Sequence, residues 1–151
     1  MVIVESLRSL TVRVRLPLLI LALAMVSAFA MAAAEQPAAA PVYTSAQADA
    51  GRDQYKATCA ACHAADLSGA EGPQLAGSDF MKTWGTQTTK DLVEYAQGMP
   101  PDGPSLKADQ YLNVVAYILQ RNGAAAGAEP LTAATAVPIG SIATGKRAGP
   151  R

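Results

Sequence analysis

Both cysteines and the single histidine of this 151-residue chain lie within five consecutive residues. The stretch reads Cys59-Ala60-Ala61-Cys62-His63, within the longer run TCAACHAAD. Any fold that the chain adopts must therefore present both thiols and the only imidazole from one short piece of backbone. All three are close enough to serve a single site.

The spacing of these side chains suits covalent attachment of a haem. Two thiols three residues apart can each add to a vinyl group on one porphyrin edge, and a histidine directly after them can ligate the iron. Three other uses are open. Zinc would need a carboxylate as fourth ligand, a thioredoxin-like dithiol expects a βαβ context, and a disulfide across two residues would be strained and leave His63 unexplained. The motif favours one haem c, covalently bound through Cys59 and Cys62.

The N-terminal segment has the layout of a secretory signal peptide. Three arginines precede the apolar run LPLLILALAMVSAFA, and the small residues AAAEQ follow it. Because this run is short for a membrane span, we predict that residues 1–34 are cleaved after Ala34 and that the protein resides in the periplasm. Cleavage after Ala30 is one alternative. An uncleaved segment that anchors the protein to the membrane is the other.

The charge of the exported part argues against a nucleic-acid partner. The full chain has a formal net charge of zero, but residues 35–151 carry nine basic and eleven acidic side chains. Binding to phosphates requires clustered positive charge, which this slightly acidic composition does not provide. We therefore expect protein partners, and a membrane only if the signal segment is retained.

Composition divides the exported part into three regions. Residues 35–42 form a Pro/Ala-rich linker, residues 43–123 carry the helical periodicity, and residues 124–151 are rich in Ala, Gly and Pro and are typical of a tail. The middle of this tail has enough Leu, Val and Ile to lie along the domain surface, but we do not expect it to make a core. A domain of about 80 residues commonly needs a disulfide, a metal or a bound group to stabilise it, because its hydrophobic core is small. Aromatic residues, which would help to fill such a core, are only 5% of the chain. A haem would fill the centre.

The domain is predicted to be all-α, with three to five short helices packed around the haem. The first helix spans about Ser45 to Thr58, and Thr44 with Gln47 forms a plausible capping box. GSDFMKTWG and TTKDLVEYAQG indicate two more helices, the first with Ser78 as N-cap. The last helix, in LKADQYLNVVAYILQRNG, has the clearest apolar stripe and ends at Asn122-Gly123.

Iron has a second axial position, and a methionine is the candidate for it because the chain has no other histidine. Met99 lies in AQGMPPDGP, where two prolines restrict the backbone, and a weak thioether ligand needs such a stiff loop. Met81 lies in the short helix DFMKTW, where a methionine commonly fills a core. We favour Met99, with Met81 and an open position as the alternatives.

The run from residue 43 to 123 resembles the small class I cytochromes c of bacteria. It is most similar to monohaem domains that serve quinohaemoprotein alcohol dehydrogenases and haem-copper oxidases. The resemblance rests on CxxCH followed by GPxL, a tryptophan, an MP loop and a terminal amphipathic helix. It implies that the Pro73 carbonyl accepts a hydrogen bond from His63, that Leu75 packs on the haem, and that Trp84 lies near the haem edge and bonds a propionate. An ordinary loop proline, core leucine and core aromatic are the alternatives.

The resemblance also implies a crossing between the first and last helices. Gly51 and Tyr55 would meet apolar residues of the last helix there, among them Tyr111, Val115 and Ile118. Two positions depart from the family's pattern: Ala64 stands where the family often has Gly, and Lys107 where it often has Ser or Thr.

Histidine on one side of the iron and methionine on the other leave no position for a substrate, which suits electron transfer. We predict an electron carrier rather than an enzyme, which shuttles single electrons between a dehydrogenase or quinol-oxidising complex and a terminal oxidase. The competing functions are a haem-based sensor, a ligand-binding or peroxidase-like cytochrome, and a tethered electron-transfer subunit of a larger dehydrogenase complex.

Overall fold

The part of the chain that the structure describes is helical, as predicted. A computed structural model describes residues 40–103 and 105–146, all of which belong to the unit Ala38–Arg151. The predicted signal peptide, its cleavage site after Ala34 and most of the linker lie outside these residues. None of the described helices is long and apolar enough to cross a membrane.

Six helices occur within the described residues, one more than the upper limit of the prediction. They are α1 (Ser45–Thr58), α2 (Ala60–His63), α3 (Ser78–Trp84), α4 (Thr89–Ala96), α5 (Ala108–Arg121) and α6 (Ile139–Ile142). The four predicted helices are confirmed. The additional two are single turns of four residues, which are too short to show a periodic pattern. Backbone pairing between extended segments is limited, in these residues, to two isolated bridges.

Local side-chain hydrogen bonds explain where two helices begin. Gln47 N donates to Thr44 Oγ1 at 3.2 Å and Thr44 N donates to Gln47 Oε1 at 3.3 Å, which confirms the capping box of α1. Thr88 and Asp91 make the same reciprocal pair at α4. The Thr88 hydroxyl, at 2.7 Å, and the Thr88 N–H both donate to the Asp91 carboxylate and hold the pKa of this carboxyl below its usual range.

The start of α3 differs from the prediction in one detail. Ser78 is the first helical residue, and Gly77 before it, with a φ of 104°, takes the N-cap position. A positive φ favours glycine, which makes Gly77 the better residue at this sharp entry.

Helices α1 and α5 cross in close contact, and Gly51 makes this possible. A Cβ atom at Gly51 would come 1.8 Å from the carbonyl oxygen of Asn113. One turn further, the rings of Tyr55 and Tyr117 pack with their centroids 5.5 Å apart. Thus Gly51 and Tyr55 lie at the crossing as the resemblance implied, whereas Tyr111 instead bonds the loop that carries Met99.

The segment after α5, residues 124–146, packs against the helical domain. Leu131 and Ile139 are fully buried and belong to the same hydrophobic cluster as the helices. The expectation that this region cannot contribute to a core is therefore wrong for these two side chains. Composition was misleading because two well-placed apolar residues among many small ones leave no periodic signal.

Backbone hydrogen bonds fix the course of residues 124–146. Gly127 N donates to Tyr43 O at 2.8 Å, Ile139 N to Gln87 O at 2.9 Å, and Gly140 N to Gly85 O at 2.8 Å. The segment thus contacts the start of the domain and the turn between α3 and α4.

The same segment returns to the end of α5. Thr144 N and Gly145 N both donate to the carbonyl of Asn122, at 3.1 and 3.0 Å. Because the segment leaves and rejoins the domain at one residue, it forms a closed loop over the surface.

A matched pair of substitutions in α6 tests this packing. Ile139→Ala should lower the free energy of unfolding by about 2–5 kcal/mol because it opens a cavity at a fully buried position. Ile142→Ala, in the same helix but only half-buried, should cost less than half as much. Urea unfolding of the haem-loaded protein measures both. Equal small effects would show that the segment does not pack on the domain.

Candidate haem site

One cavity of about 520 Å³ opens between the helices and gathers the predicted site residues. All seven line it: Cys59, Cys62, His63, Pro73, Leu75, Trp84 and Met99. Much of the rest of its wall is apolar, with Leu92, Ala96, Val114 and Ile118 among the contributors. A volume in the range of ligand pockets and a mainly apolar wall suit a large flat apolar group.

The two thiols are carried by one tight turn. His63 N donates to Cys59 O at 3.0 Å, which closes the single-turn helix α2. Both cysteines are free thiols, Cys59 half-buried and Cys62 exposed. Burial, and to a smaller extent the nearby Cys62, raises the pKa of the Cys59 thiol. The turn presents both sulfurs to the same cavity.

The His63 ring is oriented by the loop that follows it. Its Nδ1 lies 2.8 Å from the Pro73 carbonyl oxygen, which is the contact that the resemblance implies. A carbonyl only accepts, so Nδ1 must carry the proton and Nε2 keeps its lone pair for a metal. A Cβ at Gly72 would lie 2.7 Å from His63 Cε1, so glycine is required for this approach.

Ala64, where the family often has Gly, adopts the conformation that explains this preference. Its φ is 62°, in the left-handed region that costs a non-glycine residue about 1 kcal/mol or more. The Tyr55 hydroxyl donates to Ala64 O at 2.7 Å and holds the strained residue. Burial raises the pKa of Tyr55, so this hydroxyl stays protonated as a donor.

Asn122 supports the Pro73 loop from the far side, a role that the sequence did not reveal. Its Nδ2 donates to Leu75 O at 2.9 Å, and its Oδ1 accepts from Gly77 N at 2.9 Å. Asn122 is completely buried. Asn-Gly predicted only a helix stop, because a bond across 47 residues has no local signal.

The two methionine candidates lie in different surroundings. Met99 lines the cavity together with His63. Met81 is not among the lining residues, and it packs against the hydrophobic core and Gly145, where a Cβ would lie 2.7 Å from Met81 Cγ. Of the two methionines, Met99 is the one that shares the cavity with His63.

Trp84 and Tyr95 form an aromatic pair in the cavity wall. Their rings meet edge to face with centroids 5.2 Å apart, and Tyr95 is 57% exposed. An indole N–H in this position can reach a polar group of a bound ligand, so the propionate contact stays a prediction. Sequence reasoning did not single out Tyr95.

The donor set fits a haem c. Two thiols and an imidazole with Nε2 available line one largely apolar cavity, which is the combination that covalent haem attachment requires, and the Met99 thioether lines it too. Residues 40–103 and 105–146 contain no group of three or more His, Cys, Asp or Glu side chains of the kind that holds a metal ion.

A helical domain built around such a CxxCH site defines the class of c-type cytochromes. Residues 46–118 match the model of a family described as cytochrome c oxidase, cbb3-type, subunit III. This match supports a class I c-type cytochrome domain, which implies a covalently bound haem c with iron and suits haem-based electron transfer. Searches of curated proteins and of solved structures found no match.

Proposed function

We propose that this protein is a periplasmic electron carrier whose haem iron is ligated by His63 and Met99. The observation that carries the proposal is that both side chains line one cavity with the two thiols, while His63 Nδ1 is bonded to Pro73. The haem iron, when bound, supplies a one-electron couple between its ferric and ferrous states.

Each protein group has a distinct task in this proposal. Cys59 and Cys62 anchor the group covalently, and the Pro73 carbonyl makes His63 a better and better-oriented ligand. The apolar wall excludes water, which together with thioether ligation raises the reduction potential relative to ligation by two histidines. A haem held by both His63 and Met99 would supply electron transfer and would leave no ligand position for a substrate.

The partners we propose are a dehydrogenase or quinol-oxidising complex as donor and a terminal oxidase as acceptor. The matched family is described as an oxidase subunit, which supports a terminal oxidase as the electron acceptor. The slightly acidic exported chain would suit a basic docking surface, since charge steering raises the association rate of transient redox complexes. Export itself is checked by mass: the mature chain should begin at Glu35 and exceed the polypeptide by one haem.

Optical spectroscopy of the purified protein tests the ligation. The oxidised form should show the weak band at the red end of the spectrum that arises from methionine bound to ferric iron. The reduced form should not bind CO at neutral pH. A missing band, or tight CO binding, would instead assign the protein to the ligand-binding, sensor or peroxidase-like cytochromes.

A further inference from the structure

The loop that carries Met99 runs between α4 and α5, and two of its backbone hydrogen bonds are short-range. Met99 N donates to Ala96 O at 3.0 Å, and Gly103 N donates to Pro100 O at 3.0 Å. Pro100 and Pro101 have no N–H to contribute. The Met99 carbonyl bonds outside the loop, to a side chain of α5.

Tyr111 holds this loop at two points. Its hydroxyl donates to Met99 O at 2.6 Å and accepts from Ser105 N at 3.2 Å. One oxygen atom thus links the start of the loop to its end. The sequence placed Tyr111 in the apolar stripe of α5, where a tyrosine is normally counted as packing.

The position of the Tyr111 hydroxyl is fixed by the helix that carries it. Tyr111 lies in the first turn of α5 and is only 4% exposed. Lys107 N, just before the helix, donates to Gln110 Oε1 at 2.9 Å and stabilises this turn. The far part of α5 packs on α1 at Gly51. The hydroxyl is therefore presented from a rigid element.

We propose that Tyr111 is a positioning residue that keeps the Met99 thioether on the haem iron by fixing the Met99 carbonyl. This inference rests on the proposed function, in which Met99 is the second axial ligand. A thioether is a weak ligand, so its ability to exclude a competitor depends on how firmly its loop is held. Loss of the hydroxyl frees the loop and lets other ligands displace Met99.

Imidazole titration of the oxidised haem-loaded protein measures this displacement. Tyr111→Phe keeps the ring and removes both hydrogen bonds, so imidazole should bind about tenfold more tightly than to the unmodified protein. Tyr117→Phe is the matched control. Tyr117 is a tyrosine of the same helix with the same 4% exposure, it packs on Tyr55 rather than on the Met99 loop, and its hydroxyl makes no hydrogen bond within the described residues. Its imidazole affinity should stay within about twofold.

Tyr111→Phe made in a chain that lacks the Met99 thioether distinguishes a role in positioning Met99 from a general role in packing. In a Met99→Ala background, Tyr111→Phe should leave imidazole affinity unchanged within about twofold, because no ligand remains to be held. A tightening of equal size in both backgrounds would overturn the inference, as would unchanged affinity in Tyr111→Phe alone. Absence of the methionine band in the unmodified protein is a different result, which overturns the proposed function.

A second variant tests the same link if Tyr111→Phe cannot be produced in its haem-loaded form. Ser105→Pro removes the N–H that donates to the Tyr111 hydroxyl, and it also fixes the backbone φ at this exposed loop position. Imidazole should then bind about threefold more tightly. Unchanged affinity would contradict a role for the hydroxyl as a link between the two ends of the loop.

Discussion

A Cys59→Ala, Cys62→Ala variant, produced in a host that attaches haem to CxxCH proteins, is expected to carry no covalent haem and to be largely unfolded. Without the group, the fold would contain a mainly apolar cavity of about 520 Å³. A closed, empty cavity costs ~24 cal/mol per Å³, and because this cavity opens to solvent the resulting cost, on the order of 10 kcal/mol, is an upper limit. That is comparable to the whole stability of a small domain, about 5–15 kcal/mol.

Intact mass under denaturing conditions and far-ultraviolet circular dichroism measure this outcome. The mass should equal that of the polypeptide alone, and the helical signal should be mostly lost. Ala61→Ser is the control, because it changes an exposed residue inside the same motif and should retain one covalent haem. A double variant that keeps a native-like thermal transition while its absorption spectrum shows no bound haem would contradict the idea that the haem forms the centre of this core.

Met99→Leu is expected to abolish the methionine-to-iron band and to convert the reduced protein from one that does not bind CO into one that binds it stoichiometrically. Leucine keeps the volume and the apolar character of the side chain, so the substitution removes the sulfur with little change in packing. The reduction potential should fall as well, since thioether ligation raises it.

Met81→Leu is the matched control for this experiment. Met81 packs between the core and Gly145 rather than in the cavity wall, so the same substitution should leave the band intact and cost less than about 1.5 kcal/mol of stability. Loss of the band in Met81→Leu, with the band retained in Met99→Leu, would reverse the assignment of the second ligand.

The helices and their ends could be predicted because their signals are local. The Thr44–Gln47 capping box and the apolar stripe of α5 involve residues three or four positions apart, and the structure confirms both. The two single-turn helices and the N-cap at Gly77 were missed. A four-residue helix has too few positions to show a period.

The long-range hydrogen bonds and packing contacts that hold the site in place could not be predicted in the same way. Asn122 bonds Leu75, Tyr111 bonds Met99, and the segment of residues 124–146 contributes Leu131 and Ile139 to the core. Each contact joins residues that are distant in the chain or lie on different elements. Composition alone assigned residues 124–151 to a tail because Ala, Gly and Pro dominate them.

The sequence by itself determined the cofactor. Two thiols and one imidazole within five residues favour covalent haem attachment over a zinc site, a dithiol or a disulfide before any fold is known, because the bonds involved depend on spacing along one turn of backbone. Only the tertiary structure decided which methionine shares the cavity with His63 and what holds its loop. Those relations are set by the packing of α5 and by hydrogen bonds across the fold, which leave no pattern in a linear sequence.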